Sequence, residues 1–414
     1  MFYVALADSY GDVFMEKGIV GRGRSGVDIV PLKDEDMIPL PACSSIMMLP
    51  DRHAVGGAGG KEVVIKEIEG EKVFPAACIP PPGYTRTLLP AYKREKRAGV
   101  LPFFSYTALA WKDESLYCAA VRTHKDLRWD PAMYNSLDLK KKIKLKKKKH
   151  PKNRLLAHLE KCSLEYHCFT AQNIFYERWE GGIPTAAACN AACGGCISEN
   201  RILGVPSPQD RINFVPTADE IAEIAIPHLN MEGGIVSFGQ GCEGEPLTRV
   251  ELIEEAIKKI RSVTSLGTIN INTNGSMPGA LEKLFNAGLD SVRISLNSAI
   301  EERYSSYFQP KNYSFKDVLH SIDLALSKGV FTSLNFLYLP GVNDREEEAD
   351  AFFKLLKSYP VDMIQFRNLN IDPDYYFKIM KNPKGGAMGT VKFIKTINDK
   401  FPKIKTGNFS IPVR

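Results

Sequence analysis

The sequence predicts an α/β chain in two parts. A small β-rich domain, residues 1–125, precedes a parallel sheet of repeated β-α units, residues 181–414, and a lysine-rich linker with a packing helix, residues 126–180, joins them. Three observations carry this reading. Downstream of Ile183, short apolar runs alternate six times with stretches whose apolar residues recur every three or four positions, the pattern of strands followed by helices. The apolar runs are near-continuous, as in strands covered on both faces of a parallel sheet. Upstream, glycine, proline and β-branched residues fill short alternating segments. A length of 414 residues fits two domains, or one large barrel with an appendage, and 44% hydrophobic against 25% charged residues places the chain among folded proteins.

In the first part, EVVIKEIEGEKVF, turning at Glu69-Gly70, and YTALAWKDESLYCAAV, with Lys112 to Ser115 as its loop, read as hairpins. Asp51, His53 and the glycines of AVGGAGG read as turn and surface residues. The joining segment holds eight lysines between Lys140 and Lys149; removing them from a formal net charge of +6 leaves −2, so the basicity is local. That run is expected to be a solvated linker. Its alternative is a contact to an RNA backbone, but no aromatic residue is interleaved with the lysines to stack on bases. The following NRLLAHLEKCSLEYHCFTAQNIFYERWEGG has helical spacing.

The repeated units begin with IPTAAA (183–188) as the first strand and PTADEIAEIAIPHL as its helix. GGIVSF (233–238) precedes TRVELIEEAIKKIRSV, which Thr248 and Glu251 are expected to open as a capping box. TININ (268–272) precedes PGALEKLFNAG, SVRISL (291–296) precedes SFKDVLHSIDLALSKG, FTSLNFLYL (331–339) precedes REEEADAFFKLLKSY, and DMIQFRNL (362–369) precedes GTVKFIKTINDKF. Six units suit a partial (β/α)6 barrel. An open doubly wound sheet satisfies the same pattern, and both place ligands at the carboxyl ends of the strands. No apolar run reaches about 18 residues and the N-terminus lacks a basic segment followed by an apolar one, so a cytoplasmic protein with no membrane partner is expected. There, nine cysteines point to metal ligation or free thiols rather than to disulfides.

Cys189, Cys193 and Cys196, spaced C-x3-C-x2-C, directly follow the first strand and so lie at the carboxyl edge. Three thiolates are soft ligands for an iron-sulfur cluster, zinc or copper(I). A structural zinc site takes four protein ligands, which Cys168, His167 or Cys242 would have to complete. A cubane cluster held by three cysteines instead keeps one iron open.

With these cysteines, four further elements resemble the radical S-adenosylmethionine superfamily. Gly244-Glu245-Pro246 after the second strand is similar to its G-E-P element, and Thr273, Asn274 and Gly275, following Asn272, to its T-N-G. Ser295 and Asn297 stand on the fourth strand where members contact ribose and carboxylate, and LPGVND (339–344) follows the fifth. Two positions depart from the pattern. Gly195 stands where an aromatic residue commonly packs near adenine, a role left to a residue such as Ile197, and Glu243 replaces the first glycine of G-G-E-P. The resemblance implies a partial TIM-like barrel, a 4Fe–4S cluster on Cys189, Cys193 and Cys196, and S-adenosylmethionine held by Gly244, Glu245, Pro246, Asn272, Thr273, Asn274, Ser295 and Asn297. Glu245 would meet the ammonium group. It also implies a one-electron donor such as flavodoxin or ferredoxin, reductive cleavage to a 5′-deoxyadenosyl radical, and hydrogen abstraction from a substrate.

Cys242 is a candidate hydrogen-atom donor, with a small buried core cysteine as the plainer reading. Gln365 and Arg367, two apart on the last strand, are expected to face the barrel interior and touch substrate, with Asn368 and Asn370 beyond them. A second cluster would need Cys162 and Cys168 joined by Cys118, Cys78 or Cys43, and no cysteine follows Cys242 to build a C-terminal one. The substrate stays open between a small molecule, a peptide and an RNA. The rival from another class is a non-catalytic zinc or iron-sulfur scaffold.

Overall fold

A computed structural model describes residues 1–202 and 204–414. Twelve mostly short strands between Tyr3 and Cys118 form one antiparallel sheet. Both expected hairpins are present. Glu67–Ile68 pairs with Glu71–Lys72 across Glu69 (φ 50°) and Gly70 (φ 85°), and Thr107–Lys112 pairs with Ser115–Cys118 across Asp113 (φ 48°) and Glu114 (φ 58°). Positive φ at both central residues matches the right-handed twist of the flanking strands.

The lysine run is not a linker. It forms a helix, Leu139–Lys149, because Leu139, Ile143 and Lys146 recur at four- and three-residue spacing and bury one stripe. The Lys146 stem packs inward while its ammonium donates to the Ile174 carbonyl and to Glu177, both at 2.9 Å. Lys140, Lys141, Lys144, Lys148 and Lys149 form the exposed face. Helices Arg154–Leu164 and Phe169–Tyr176 follow and pack beside the second sheet.

That sheet has seven parallel strands in sequential order: Glu180–Gly182, Ile235–Phe238, Thr268–Thr273, Ser291–Leu296, Phe331–Tyr338, Met363–Asn368 and Lys405–Gly407. A doubly wound sheet reverses its order at a switch point, so the sequential order decides for the partial barrel. The seventh strand, KTG, is too short and polar to be read from sequence. The first strand lies earlier than expected. It ends at Gly182; the Ile183 amide still donates to the Ser237 carbonyl at 3.0 Å, but the residues to 188 leave the ladder, because the Thr185 and Ala186 amides are taken by the Glu243 carboxylate. The expected Thr248–Glu251 capping box is also absent: a 3-10 turn, Pro246–Arg249, leads into helix Val250–Val263, and the Thr248 hydroxyl donates to the Glu245 carbonyl.

Alternation along the strands separates two faces. Phe336 and Phe366 turn outward, where Phe336 stacks on Phe352 at 4.2 Å between centroids and Phe393 joins the layer. Inward stand Ser237, Asn270, Ser291, Arg293 and Gln365, hydrogen-bonded across neighbouring elements. The N-terminal sheet docks where the fifth and sixth strands end. Buried Arg52 pairs with Asp372 at 3.0 Å, the Gly26 amide donates to the Pro340 carbonyl, and Arg86 donates to the Leu369 carbonyl. Among the described residues no helix is long and apolar enough to cross a membrane.

Helix Ala218–Leu229 does open on a capping box, Thr217 with Glu220, and Arg154 grips the same carboxylate. That arginine holds the Glu220 pKa down at about 2, below its ordinary 4.5. A depressed carboxyl pKa contributes stability that is complete above the ordinary value and is lost as pH falls from about 4.5 toward about 2. Urea midpoints measured across that range should fall less steeply in Arg154→Gln than in the wild type.

Candidate cofactor site

The three cysteines lie on the loop after the first strand, and a helix that sequence reasoning passed over holds the loop. Glu301–Phe308 is one short helix whose last carbonyls accept from the loop: Ala192 donates to Phe308 at 3.0 Å and Gly194 to Tyr307 at 2.8 Å. These bonds satisfy helix-end carbonyls that would otherwise be orphaned. A Cβ at Gly195 would come within 2.7 Å of the Tyr307 hydroxyl. The space where the family pattern has an aromatic side chain is therefore filled by Tyr307 from across the loop.

The loop after the second strand closes on the same segment. Glu243 is buried and accepts five hydrogen bonds: from Thr185 N (2.8 Å), Thr185 Oγ1 (3.1 Å) and Ala186 N (3.0 Å) on one oxygen, and from Gly239 N (2.6 Å) and Gln240 N (2.7 Å) on the other. Burial nevertheless pushes its pKa up. This residue, an unexplained departure in the sequence, is the tie between the two loops. Gly244 and Glu245 then donate to the Ala186 and Ala188 carbonyls at 2.6 and 2.9 Å. A Cβ at Gly244 would lie 2.0 Å from the Ala188 oxygen, so only glycine allows this approach.

Glu245 clamps a third element. Its carboxylate accepts from the Thr273 hydroxyl, from Asn274 N at 2.9 Å and from Leu247 N at 3.1 Å. Both oxygens are thus engaged within the chain, and burial raises the pKa to about 7 against these donors. Asn274 also donates to Asn190 Oδ1 at 2.9 Å, next to the first cysteine. Asn272 accepts from Asn270 and donates to the Gly239 carbonyl. Thr273, Asn274 and Asn272 therefore hold the loops. Ser295 Oγ accepts from Asn335 at 3.0 Å, whereas Asn297 is buried with its Oδ1 unpartnered among the described residues. Pro246, also buried, starts the 3-10 turn.

The cysteines are half-buried. Burial, then the Glu245 charge, raises the Cys189 pKa to about 11, and burial with the two neighbouring thiols pushes Cys193 well up. Cys189 and Cys193 thus resist ionisation as they stand, which fits a cationic core that would supply the missing positive charge. Tetrahedral zinc requires sulfur atoms about 3.8 Å apart. Among the described residues, the one trio of donors all within 4.8 Å is not the loop's but His158, Cys162 and Cys242. Arg211, another residue the sequence did not single out, donates to Cys196 Sγ at 3.6 Å and to Ser198 Oγ at 3.2 Å.

The remaining candidates are placed as follows. The Cys242 sulfur points to His158 and Cys162 on helix Arg154–Leu164, away from its expected place among the reacting groups and from completing a zinc site with the loop. In that pair the hydrogen bond from Cys242 favours the Cys162 thiolate, and Cys242 stays the thiol. His167 is bonded to Asn135 and Cys168 to Thr170, so neither completes a zinc site with the loop. Gln365 accepts from Arg293 at 2.6 Å inside the barrel. Arg367 lies over the Phe409 ring at 5.0 Å, its pKa lowered to about 9 by burial and then by Arg293. Asn368 does not face a substrate: it accepts from the Arg86 amide and donates to the Tyr84 carbonyl, docking the N-terminal sheet. Arg293 and Glu180, both buried on the inner face, were legible only as charged residues inside apolar strands.

The Radical SAM superfamily profile matches residues 183–356, the segment that carries the cysteine loop, the Glu245 clamp and the Thr273-Asn274 strand end. The chain carries a radical SAM domain over those residues. Its cofactors are accordingly a 4Fe–4S cluster and S-adenosylmethionine. The chain is 26% identical over 243 residues to the GTP 3′,8-cyclase of Chlorobaculum tepidum, covering 56% of this chain and 66% of that one. It is 30% identical over 175 residues to the probable GTP 3′,8-cyclase of Methanocella arvoryzae, covering 42% and 51%. The chain thus spans less than two thirds of either relative. Among solved structures it is similar to HydG, a maturase of the [FeFe]-hydrogenase, at 16% identity and a TM-score of 0.40 over 66% of each chain.

Proposed function

We propose that this protein is a radical SAM enzyme in which Cys189, Cys193 and Cys196 hold the cluster and the barrel interior takes an anionic substrate. The observation that carries the reading is the convergence of three strand ends, through Glu243 and Glu245, on the loop that presents Cys189, Cys193 and Cys196. Bound together, the cluster and S-adenosylmethionine supply one-electron cleavage of a sulfonium to a carbon radical that removes a hydrogen atom. The chain's part is placement. With the Glu245 oxygens committed to Thr273, Asn274 and Leu247, the acceptor offered to the cofactor's ammonium is the Gly244 carbonyl, which no donor reaches among the described residues. Ser295 and the free Asn297 oxygen suit its sugar and carboxylate end. Deeper in the barrel, Arg293, Arg367 and Gln365 suit an anionic substrate, and the inner face is closed from solvent by the docked N-terminal sheet and by Phe409 stacked on Trp129 at 3.9 Å.

The activity named for the relatives makes GTP the first substrate to test. Protein reconstituted with iron and sulfide without oxygen, reduced with dithionite or with a reduced flavodoxin or ferredoxin, and given S-adenosylmethionine should form 5′-deoxyadenosine. GTP is expected to increase the yield and to be consumed; deoxyadenosine formed at the same rate with GTP untouched would reject that substrate while keeping the chemistry. The Arg211 guanidinium on Cys196 favours the reduced, more negative cluster. Arg211→Gln should lower the cluster midpoint potential, on the order of tens of mV, in a titration followed by electron paramagnetic resonance.

A further inference from the structure

We infer that His158, Cys162 and Cys242 form a second metal site, for a single zinc-class divalent ion, that staples helix Arg154–Leu164 to the loop carrying Glu243 and Glu245. The proposal does not depend on the cluster reading. His158 and Cys162 are four residues apart on one helix and so share a face. Cys242 reaches that face from the barrel loop, and the three donor atoms all lie within 4.8 Å of one another.

The spacing is that of a coordination shell. Zinc–sulfur and zinc–nitrogen bonds of about 2.3 and 2.0–2.1 Å at tetrahedral angles set an N···S edge of about 3.6 Å and an S···S edge of about 3.8 Å. His158 Nε2 and Cys162 Sγ stand 3.5 Å apart. Two sulfurs and an imidazole are a soft donor set that favours zinc over calcium, magnesium or manganese. Cys162 and Cys242 are buried, 1% and 4% exposed, while His158 is half-buried and leaves an edge for entry and for a solvent ligand in the fourth position. Cys168 is not that ligand, since its sulfur is turned to the Thr170 hydroxyl at 3.3 Å. A bound ion would fix Cys242, whose carbonyl accepts from Ile212 N and whose neighbour Glu243 ties the cysteine loop.

Cobalt(II), the optical probe for zinc, tests this in the full-length chain carrying Cys189→Ala, Cys193→Ala and Cys196→Ala, purified without oxygen. A single equivalent is expected to bind with the visible bands of a tetrahedral site and a thiolate charge-transfer band, and zinc should displace it. Cys242→Ser and His158→Ala, each added to that background, should weaken binding by roughly tenfold or more. Circular dichroism identifies a variant that has lost its fold; His158→Ala, at the half-buried edge, keeps the test valid if Cys242→Ser does. Absence of the tetrahedral bands, bands that survive both substitutions, or a Cys162–Cys242 disulfide in the freshly purified protein would each overturn the proposal.

Discussion

Cys193→Ala should yield a folded protein that retains no cluster iron after reconstitution and forms 5′-deoxyadenosine only at background. The substitution removes one sulfur from a half-buried loop position, at a cost to folding of about 1 kcal/mol, so the melting transition should hardly move. The loss is chemical: two thiolates do not hold a cubane whose fourth iron must stay free. Cys43→Ala, an exposed cysteine of the N-terminal sheet, should keep iron and turnover at the wild-type level. Iron content, visible absorption and nucleoside yield on the two variants separate a ligand from a bystander.

Glu243→Gln should be the most damaging change outside the cysteines. The carboxylate accepts two amides on one oxygen and two amides with a hydroxyl on the other. Glutamine keeps one of these oxygens and turns an NH2 group toward N–H donors on the other side. Leaving such buried donors unpaired costs about 3 kcal/mol. Because the ties lead to Thr185 and Ala186, immediately before the cysteines, a lower urea midpoint should come with faster loss of iron from the reconstituted protein. A variant as stable as wild type that keeps its iron would show that Glu243 is not the tie.

The barrel was legible because its helices and strands announce themselves locally. SVRISL is strand from Ser291 to Leu296 as read, and the six expected helices all form. What escaped were features set by distant partners. IPTAAA looks like a strand, but its Thr185 and Ala186 amides belong to Glu243, more than fifty residues on. The lysine run looked solvated because charge outweighs three inward positions; tertiary burial of Leu139, Ile143 and Lys146 decides for a helix. Helix Glu301–Phe308 has only eight residues with two serines, too little period to recognise, yet it carries the Tyr307 that fills the place over Gly195.

The site shows the same division. Motif spacing located the cysteines, Glu245 and the Thr273-Asn274 pair, and the structure brings these strand ends together. Motifs do not state direction. Cys242 and Asn368 sit at the carboxyl edge of the sheet, but one turns to the packing helix and the other to the N-terminal sheet. Arg211 and Asn190 have no signature at all, being defined by what they touch.

The most direct test of the cofactor assignment is electron paramagnetic resonance of the reconstituted, dithionite-reduced protein with and without S-adenosylmethionine. Three cysteines and an open iron predict the signal of a reduced 4Fe–4S cluster whose shape changes when S-adenosylmethionine is added, because the added molecule binds the cluster itself. A protein that takes up zinc in place of iron, or a cluster signal indifferent to S-adenosylmethionine, would contradict it.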